Sequence, residues 1–336
     1  MLYALARRAL FSLDAETAHD LAIHSFRHFP QLATRPFAGR VTDAPVTLMG
    51  LRFPNRVGLA AGMDKNGECL RAWAALGFGF VEVGTVTPRP QPGNPRPRMF
   101  RLTRQQALIN RLGFNNRGVD YLLGQVAEAD YPGVLGINIG KNADTPIERA
   151  ADDYLHCLQR VHARADYVTV NISSPNTQNL RSLQGEAPLQ QLLGRLAAAR
   201  EALAQQHGKR TPMLIKIAPD NDAEQLRRIA LACRENGMDG IIATNTTITR
   251  PGLADAAQAA EAGGLSGRPL GPLAEQALRA VRAAVGAEYP LIGVGGILSG
   301  QDARARREAG ADLVQIYTGF IYRGPELIRE CAAALA

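Results

Sequence analysis

The stretch Tyr167-Val-Thr-Val-Asn171-Ile-Ser173-Ser174-Pro175-Asn176-Thr177 carries the residue types most suited to chemistry. β-Branched residues at 168–170 favour an extended strand. Pro175 ends it and holds Ser174 in an extended conformation, so a serine hydroxyl stands on a rigid corner between two carboxamides. Asn171 and Asn176 each donate and accept hydrogen bonds, which suits a neutral ring of alternating C=O and N–H groups better than a bare charge. The plainer reading is an Asx or Ser turn closing an ordinary strand, and this stretch alone does not separate the two. A second candidate is Lys216, set inside Leu214-Ile-Lys-Ile217, where an inward cation needs a partner to offset its desolvation. Two roles meet that need. One is an imine with a carbonyl substrate; the other is a cation beside a flavin, stabilising negative charge on the reduced ring.

These residues need a scaffold, and the pattern around them supplies one. Short apolar runs at Val57 to Ala61, Phe80 to Gly84, Gly133 to Ile139, Tyr167 to Asn171, Met213 to Ile217, Gly240 to Thr244, Leu291 to Val294 and Leu313 to Tyr317 read as eight strands. Amphipathic stretches such as Leu189 to Gln206, Ala223 to Asn236 and Leu273 to Val285 lie between them. Eight such units predict an α/β fold, a closed (β/α)8 TIM barrel with a short N-terminal helical extension. The division is residues 1–40 for the extension and 41–336 for the barrel. Residues 87–118, rich in proline and arginine, read as an excursion from the barrel.

In such a barrel chemistry gathers at the carboxyl ends of the strands. Those ends are polar here: Ala60-Ala-Gly-Met-Asp64-Lys65, Gly84-Thr85, Asn138-Ile-Gly-Lys141-Asn142, the Asn/Ser corner, Lys216, Thr244-Asn245-Thr246, Gly295-Gly296 and Tyr317-Thr318-Gly319. The last two suit a phosphate, because glycines let backbone N–H groups and a helix N-terminus approach it closely. Gly293-x-Gly295-Gly296 lacks the third glycine of a dinucleotide fingerprint, so a mononucleotide-like cofactor is expected. Gly264-Leu-Ser266-Gly267-Arg268 reads as further donors or as a bare turn.

Composition narrows the classes. The 336 residues are 46% hydrophobic and 21% charged, enough for a large core. Cys69, Cys157, Cys233 and Cys331 lie far apart without a C-x-x-C pair, so no disulfide framework or metal site is expected and a reducing cytoplasm fits best. The net charge of +7 concentrates between Val83 and Val119, where seven arginines meet no acid. Without a stacking aromatic series or a helix-turn-helix pattern, this segment predicts an anionic small substrate or lipid rather than nucleic acid. No apolar run near the N-terminus is long enough for a signal peptide core or a spanning helix.

Ala60-Ala-Gly-Met-Asp-Lys65, Gly84-Thr-Val-Thr-Pro-Arg-Pro-Gln-Pro-Gly-Asn94, Ile109-Asn-Arg-Leu-Gly-Phe-Asn-Asn116, Asn171-Ile-Ser-Ser-Pro-Asn-Thr177, Ala243-Thr-Asn-Thr-Thr247 and Gly293-Val-Gly-Gly296 resemble the dihydroorotate dehydrogenases nearly end to end. The N-terminal extension and a serine at 174, where the soluble class has cysteine, make the chain similar to the quinone-dependent class. The resemblance implies oxidation of (S)-dihydroorotate to orotate in pyrimidine synthesis, with FMN as first acceptor and a quinone, ubiquinone or menaquinone, as second. It implies Ser174 as the base at C5, with Thr177 and Phe114 shaping its proton relay. FMN would be held by Ala61, Gly62, Met63, Asp64, Lys65, Thr85, Asn138, Asn171, Lys216, Thr244, Gly267, Gly296, Tyr317 and Thr318. Substrate would be held by Lys65, facing the carboxylate, with Asn110, Arg111, Leu112, Gly113, Phe114, Asn171, Asn176, Asn245 and Thr246.

Residues 1–30 place Leu2, Leu5, Leu10, Phe11, Leu13, Leu21, Ile23, Phe26 and Phe29 at roughly helical spacing, broken near Asp14. Two short amphipathic helices are expected, either lying in a bilayer interface or packing on the barrel. The resemblance favours a quinone tunnel with Arg101 and His19 near the quinone, and a peripheral position on the cytoplasmic face of the cell membrane.

Overall fold

The computed structural model describes residues 2–254 and 256–336. Three helices come first: α1 (Leu2–Phe11), α2 (Ala15–His28) and α3 (Pro30–Thr34). Asp14 separates the first two because its carboxylate caps α2, accepting hydrogen bonds from the N–H groups of Glu16 and Thr17. An antiparallel ribbon, β1 (Val46–Leu48) and β2 (Leu51–Phe53), then leads into the barrel.

The remaining strands are β3 (Val57–Leu59), β4 (Phe80–Val86), β5 (Met99–Leu102), β6 (Ala107–Asn110), β7 (Val134–Ile139), β8 (Tyr167–Asn171), β9 (Met213–Ile217), β10 (Gly240–Ala243), β11 (Gly264–Gly267), β12 (Leu291–Val294) and β13 (Leu313–Ile316). Eight of them close a parallel barrel in the order β3-β4-β7-β8-β9-β10-β12-β13. These are the eight strands the apolar runs predict. Around them lie α4 (Leu70–Leu76), α5 (Val119–Ala129), α6 (Ala150–Val161), α7 (Glu186–His207), α8 (Ala223–Glu235), α9 (Gly271–Val285), α10 (Gly300–Glu308), α11 (Thr318–Arg323) and α12 (Glu326–Ala334).

Alternation sorts the strand residues into two cores. Val81, Val83, Ile137, Val168, Val170, Ile215 and Ile241 face the helices, whereas Phe80, Val134, Tyr167, Leu214, Ile242, Ile292 and Leu313 fill the barrel. Phe53 of the ribbon closes the interior at the amino end, its ring edge-on to Phe80 with centroids 5.3 Å apart. The barrel is therefore solid below, and only its carboxyl end is open to chemistry.

The excursion is more ordered than its prolines suggest. β5 and β6 form a hairpin, and β11 pairs antiparallel with β6, so residues 264–267 are a strand rather than the bare turn the sequence also allowed. Ladder partners about 150 residues away carry no local signature, which is why this strand was not legible beforehand. The arginines also differ from expectation. Arg98 pairs with Glu16, Arg96 with Glu16 and Asp20, Arg89 with Asp144, Arg111 with Glu261 and Arg117 with Glu68. Their acids come from distant segments, so the basic patch is largely paired with acids of the fold, deeply at Arg98 and on the surface at Arg89, Arg96 and Arg117.

Candidate active site

At the barrel mouth the strand ends enclose a cavity with an empty volume of about 830 Å³. The loop after β3 contributes Ala60, Ala61, Gly62 and Lys65, and β4 contributes Thr85. Gly84 precedes that threonine at φ +100°, and a Cβ there would collide with the Asn138 carbonyl, so only glycine brings the two strand ends this close. The excursion supplies Asn110, Leu112, Gly113 and Phe114, and the loop after β8 supplies Ser174 and Asn176 beside Asn171. Lys216 and the Thr244-Asn245-Thr246 run complete the wall, with Tyr317 opposite.

Hydrogen bonds fix this constellation. Asn176 Nδ2 donates to Asn110 Oδ1 over 3.2 Å, joining the excursion to the serine loop. Asn245 Nδ2 donates to Ser173 Oγ at 3.0 Å, while Asn245 Oδ1 accepts from Thr246 N at 2.7 Å. Arg181 ties the loops from outside, donating to the Ser173 and Thr246 carbonyls and pairing with Asp220 at 2.7 Å. Ser174 is 5% exposed, and its Oγ accepts the Asn176 N–H at 3.2 Å. A donor aimed at that oxygen stabilises negative charge there, the polarity a proton-accepting hydroxyl needs.

Two cations line the cavity with different electrostatics. Lys216 is 5% exposed and sits wholly within the barrel, where burial pushes its ammonium down while Glu82 pulls it up. Burial also pushes Lys65 down, to about 8, with Glu16 and Arg98 acting in opposite senses. An anionic ligand group would satisfy either one.

The structure brings most of the expected residues together and leaves some out. Asn138 lies beneath the cavity, its side chain bonded to Thr85 and Glu82. The Asp64 carboxylate faces α4 instead, accepting from Glu68 N, Cys69 N and Trp73 Nε1, so it braces the loop and leaves the ligand to the backbone. The Arg111 guanidinium turns away to Glu261 and the Pro97 carbonyl, leaving only its backbone near the cavity. Gly267, Gly296 and Thr318 flank the edge, where Thr318 Oγ1 donates to Ser266 Oγ at 2.8 Å. Among the described residues the N–H groups of Gly296 and Thr318 have no partner, which suits a phosphate; α11 is only six residues long, so loop amides rather than a helix dipole would do the binding. Ser266, Leu270 and Val294, outside the expected set, also line the cavity. Ser266 belongs to the glycine-flanked segment that reads as further donors, whereas the two apolar residues carry no chemical signal in the sequence.

A second, larger cavity of about 1510 Å³ lies between the N-terminal helices and the barrel. Phe11, Ala18, Leu21, Met63 and Phe320 are among its apolar walls, and His19 and Arg101 bring polar groups to it. Tyr317 lines both cavities. Arg101 donates to the Phe11 and Leu13 carbonyls and stacks on the Phe11 ring at 4.2 Å, while its buried Nε is unpartnered. Burial pushes the His19 imidazole down to about 3, so it stays neutral at physiological pH.

The profile of the family described as dihydroorotate dehydrogenase matches residues 44–336. The chain belongs to the dihydroorotate dehydrogenase family. It is 57% identical over 334 residues to the dihydroorotate dehydrogenase (quinone) of Aromatoleum aromaticum, covering 99% of this chain and 95% of that one. With the dihydroorotate dehydrogenase (quinone) of Paraburkholderia phymatum it shares 58% identity over 336 residues, covering 100% and 98%. In three dimensions it resembles a crystal structure of DHODH in complex with ferulenol from Eimeria tenella, with TM-score 0.88 and 38% identity over 95% of this chain and 90% of that one. A ligand-free structure from the same organism gives TM-score 0.87 and 39% identity, covering 96% and 94%.

Proposed function

We propose that this protein oxidises (S)-dihydroorotate to orotate, passing electrons through FMN to a membrane quinone in pyrimidine synthesis. The observation that carries this reading is one cavity in which Ser174, four asparagines and buried Lys216 converge, joined at Tyr317 to a second, apolar cavity. FMN, held by residues such as Lys216, Thr85 and Asn171, would supply the hydride acceptor for C6 of the substrate and the electron carrier toward the quinone. The chain's own residues do the rest. Asn110, Asn171, Asn176 and Asn245, with Thr246, match the donors and acceptors of a dihydropyrimidine ring, and Lys65 offers its cation to the carboxylate. Holding the ring in this way contributes by orientation, roughly 7–11 kcal/mol at best. Ser174 takes the C5 proton, its developing charge met by the Asn176 N–H.

The donor set supports FMN over a dinucleotide. Lys216 lies where a ring bearing negative charge would meet it, and the free amides of Gly296 and Thr318 offer a cradle for a single phosphate. Gly296 stands at φ +70° against Gly271, with no room for a Cβ, so only glycine lets this loop pack on the start of α9.

His19 and Arg101 would meet the quinone head in the second cavity, whose apolar wall suits an isoprenoid tail. Leu2, Leu5, Leu21, Phe29 and Leu32, from 48% to 73% exposed, support a peripheral seat on the cytoplasmic face of the cell membrane for residues 1–40. No helix among the described residues is long and apolar enough to cross a bilayer. The test is an absorbance spectrum of the purified protein before and after dihydroorotate: flavin bands that bleach with substrate and return on adding a ubiquinone analogue support the reading, and a colourless protein ends it.

A further inference from the structure

Glu82 is the only acidic residue in the eight barrel strands, and Lys216 is the only basic one. Glu82 is fully buried. Its Oε1 accepts from Asn138 Nδ2 at 2.8 Å, and its Oε2 accepts from Gln315 Nε2 at 2.8 Å and the Tyr167 hydroxyl at 3.0 Å. From Asn138 a chain of hydrogen bonds climbs to the cavity. The Thr85 hydroxyl donates to Asn138 Oδ1 at 2.6 Å, Asn171 Nδ2 donates to Thr85 Oγ1 at 3.0 Å, and Asn245 Nδ2 reaches Asn171 Oδ1 at 3.4 Å.

Every donor in this chain points down the barrel. Backbone N–H groups orient the two upper amides, Ser173 N donating to Asn171 Oδ1 at 3.2 Å and Thr246 N to Asn245 Oδ1 at 2.7 Å, but no such group orients the Asn138 amide or the Thr85 hydroxyl, each of which can donate or accept. A carboxylate that only accepts, placed at the bottom, does: Asn138 turns its NH2 downward, which leaves its carbonyl for the Thr85 hydroxyl, whose oxygen then accepts from Asn171. In this low-dielectric interior a reversed Asn138 would set its carbonyl against the carboxylate, acceptor against acceptor.

We propose that Glu82 is a positioning residue, the fixed acceptor that orients Asn138 and Thr85 beneath the cavity and supplies the one negative charge among the eight barrel strands that hold buried Lys216. It touches neither substrate nor cofactor, and acts through the amides that do. The inference rests on the flavin reading above. Its consequence is that one strand acid determines how Asn138 and Thr85 direct their polar atoms beneath the cavity and how much net charge a bound ring senses.

The test uses the Glu82→Gln holoenzyme, with the midpoint potential of the bound flavin and an orotate titration of its absorbance as readouts. The Gln315 carbonyl is unpartnered, so that amide can flip to accommodate the new NH2 and the barrel has a route to fold. Loss of a nearby negative charge should move the Glu82→Gln potential positive, while an oxygen stays in place for Asn138; Glu82→Leu, which also takes that acceptor away, should in addition weaken orotate binding about tenfold. A flavin-loaded variant lacking its expected change overturns the role of Glu82 while leaving the flavin reading intact; wild-type protein without flavin would sink that reading instead. Should Glu82→Gln not fold, Tyr167→Phe removes one donor and leaves a barer carboxylate. Its potential should then move negative, and no shift or a positive one overturns the proposal. A merely structural Glu82 would lower stability without moving either readout.

Discussion

Ser174 has its hydroxyl oxygen held by one backbone amide, on a corner that Pro175 keeps extended. Replacing it with alanine removes the base and leaves the asparagine cage in place. Ser174→Ala is expected to bind flavin and orotate normally but to slow flavin reduction by about 10²- to 10⁴-fold, measured by stopped-flow absorbance; near-normal reduction would remove Ser174 from that role. Lys65 gives a pH signature. Its ammonium is pushed down to about 8, and only the protonated form attracts a carboxylate. Orotate affinity should therefore be flat below that pH and fall as pH rises through it, because the proton lost from Lys65 must be regained on binding. Binding titrations across pH, repeated with Lys65→Gln, check this; an equal fall in the variant would assign the effect elsewhere.

The N-terminal helices are both packed on the barrel and apolar on their outer surface. Glu16 and Arg98 pair at 2.8 Å, 5% and 7% exposed, Tyr3 donates to the Ile321 carbonyl, and Phe26 packs edge-on against Trp73. Burial would raise the Glu16 carboxyl, but Arg98 and Arg96 hold it below its ordinary range. Its contribution to stability is thus present above the ordinary carboxylate range and is lost as pH falls through the lowered value. Glu16→Ala should strand the Arg98 charge and cost about 3–5 kcal/mol, seen as lower resistance to denaturant and proteolysis near residue 14. Deleting residues 1–40 would do the same damage, so surface variants separate the roles better. Leu5→Glu with Leu32→Glu, neither of which lines either cavity, should abolish liposome co-sedimentation while leaving flavin reduction by dihydroorotate unchanged. Retained liposome binding would mean that the outer face is not what docks.

Across the whole molecule two cavities of opposite character meet at Tyr317, one polar at the barrel mouth and one apolar under the helices. That division predicts acceptor choice. Dihydroorotate should drive fast reduction of a ubiquinone analogue and little reduction of fumarate or NAD, measured as steady-state turnover with each acceptor; the reverse order would defeat the quinone assignment. The solid barrel floor beneath the cavity, with Phe80 packed between Phe53 and Tyr167, keeps access to the mouth side alone.

The barrel and most of its mouth are legible in the order of residues alone. Short, continuous apolar runs are a local consequence of strands buried on both faces, and polar residues clustering at their carboxyl ends need no contact map to be seen. Asn171, Ser174, Asn176, Lys216 and Asn245 were legible in this way. Where long side chains turn, and which residues pair, depends on the folded whole. Asp64 bracing α4, Arg111 reaching Glu261, the excursion arginines meeting distant acids and β11 joining β6 all depend on segments brought together by closure of the barrel. Glu82 belongs with these: the contacts it makes with Asn138, Tyr167 and Gln315 exist only once β4, β7, β8 and β13 are assembled around it.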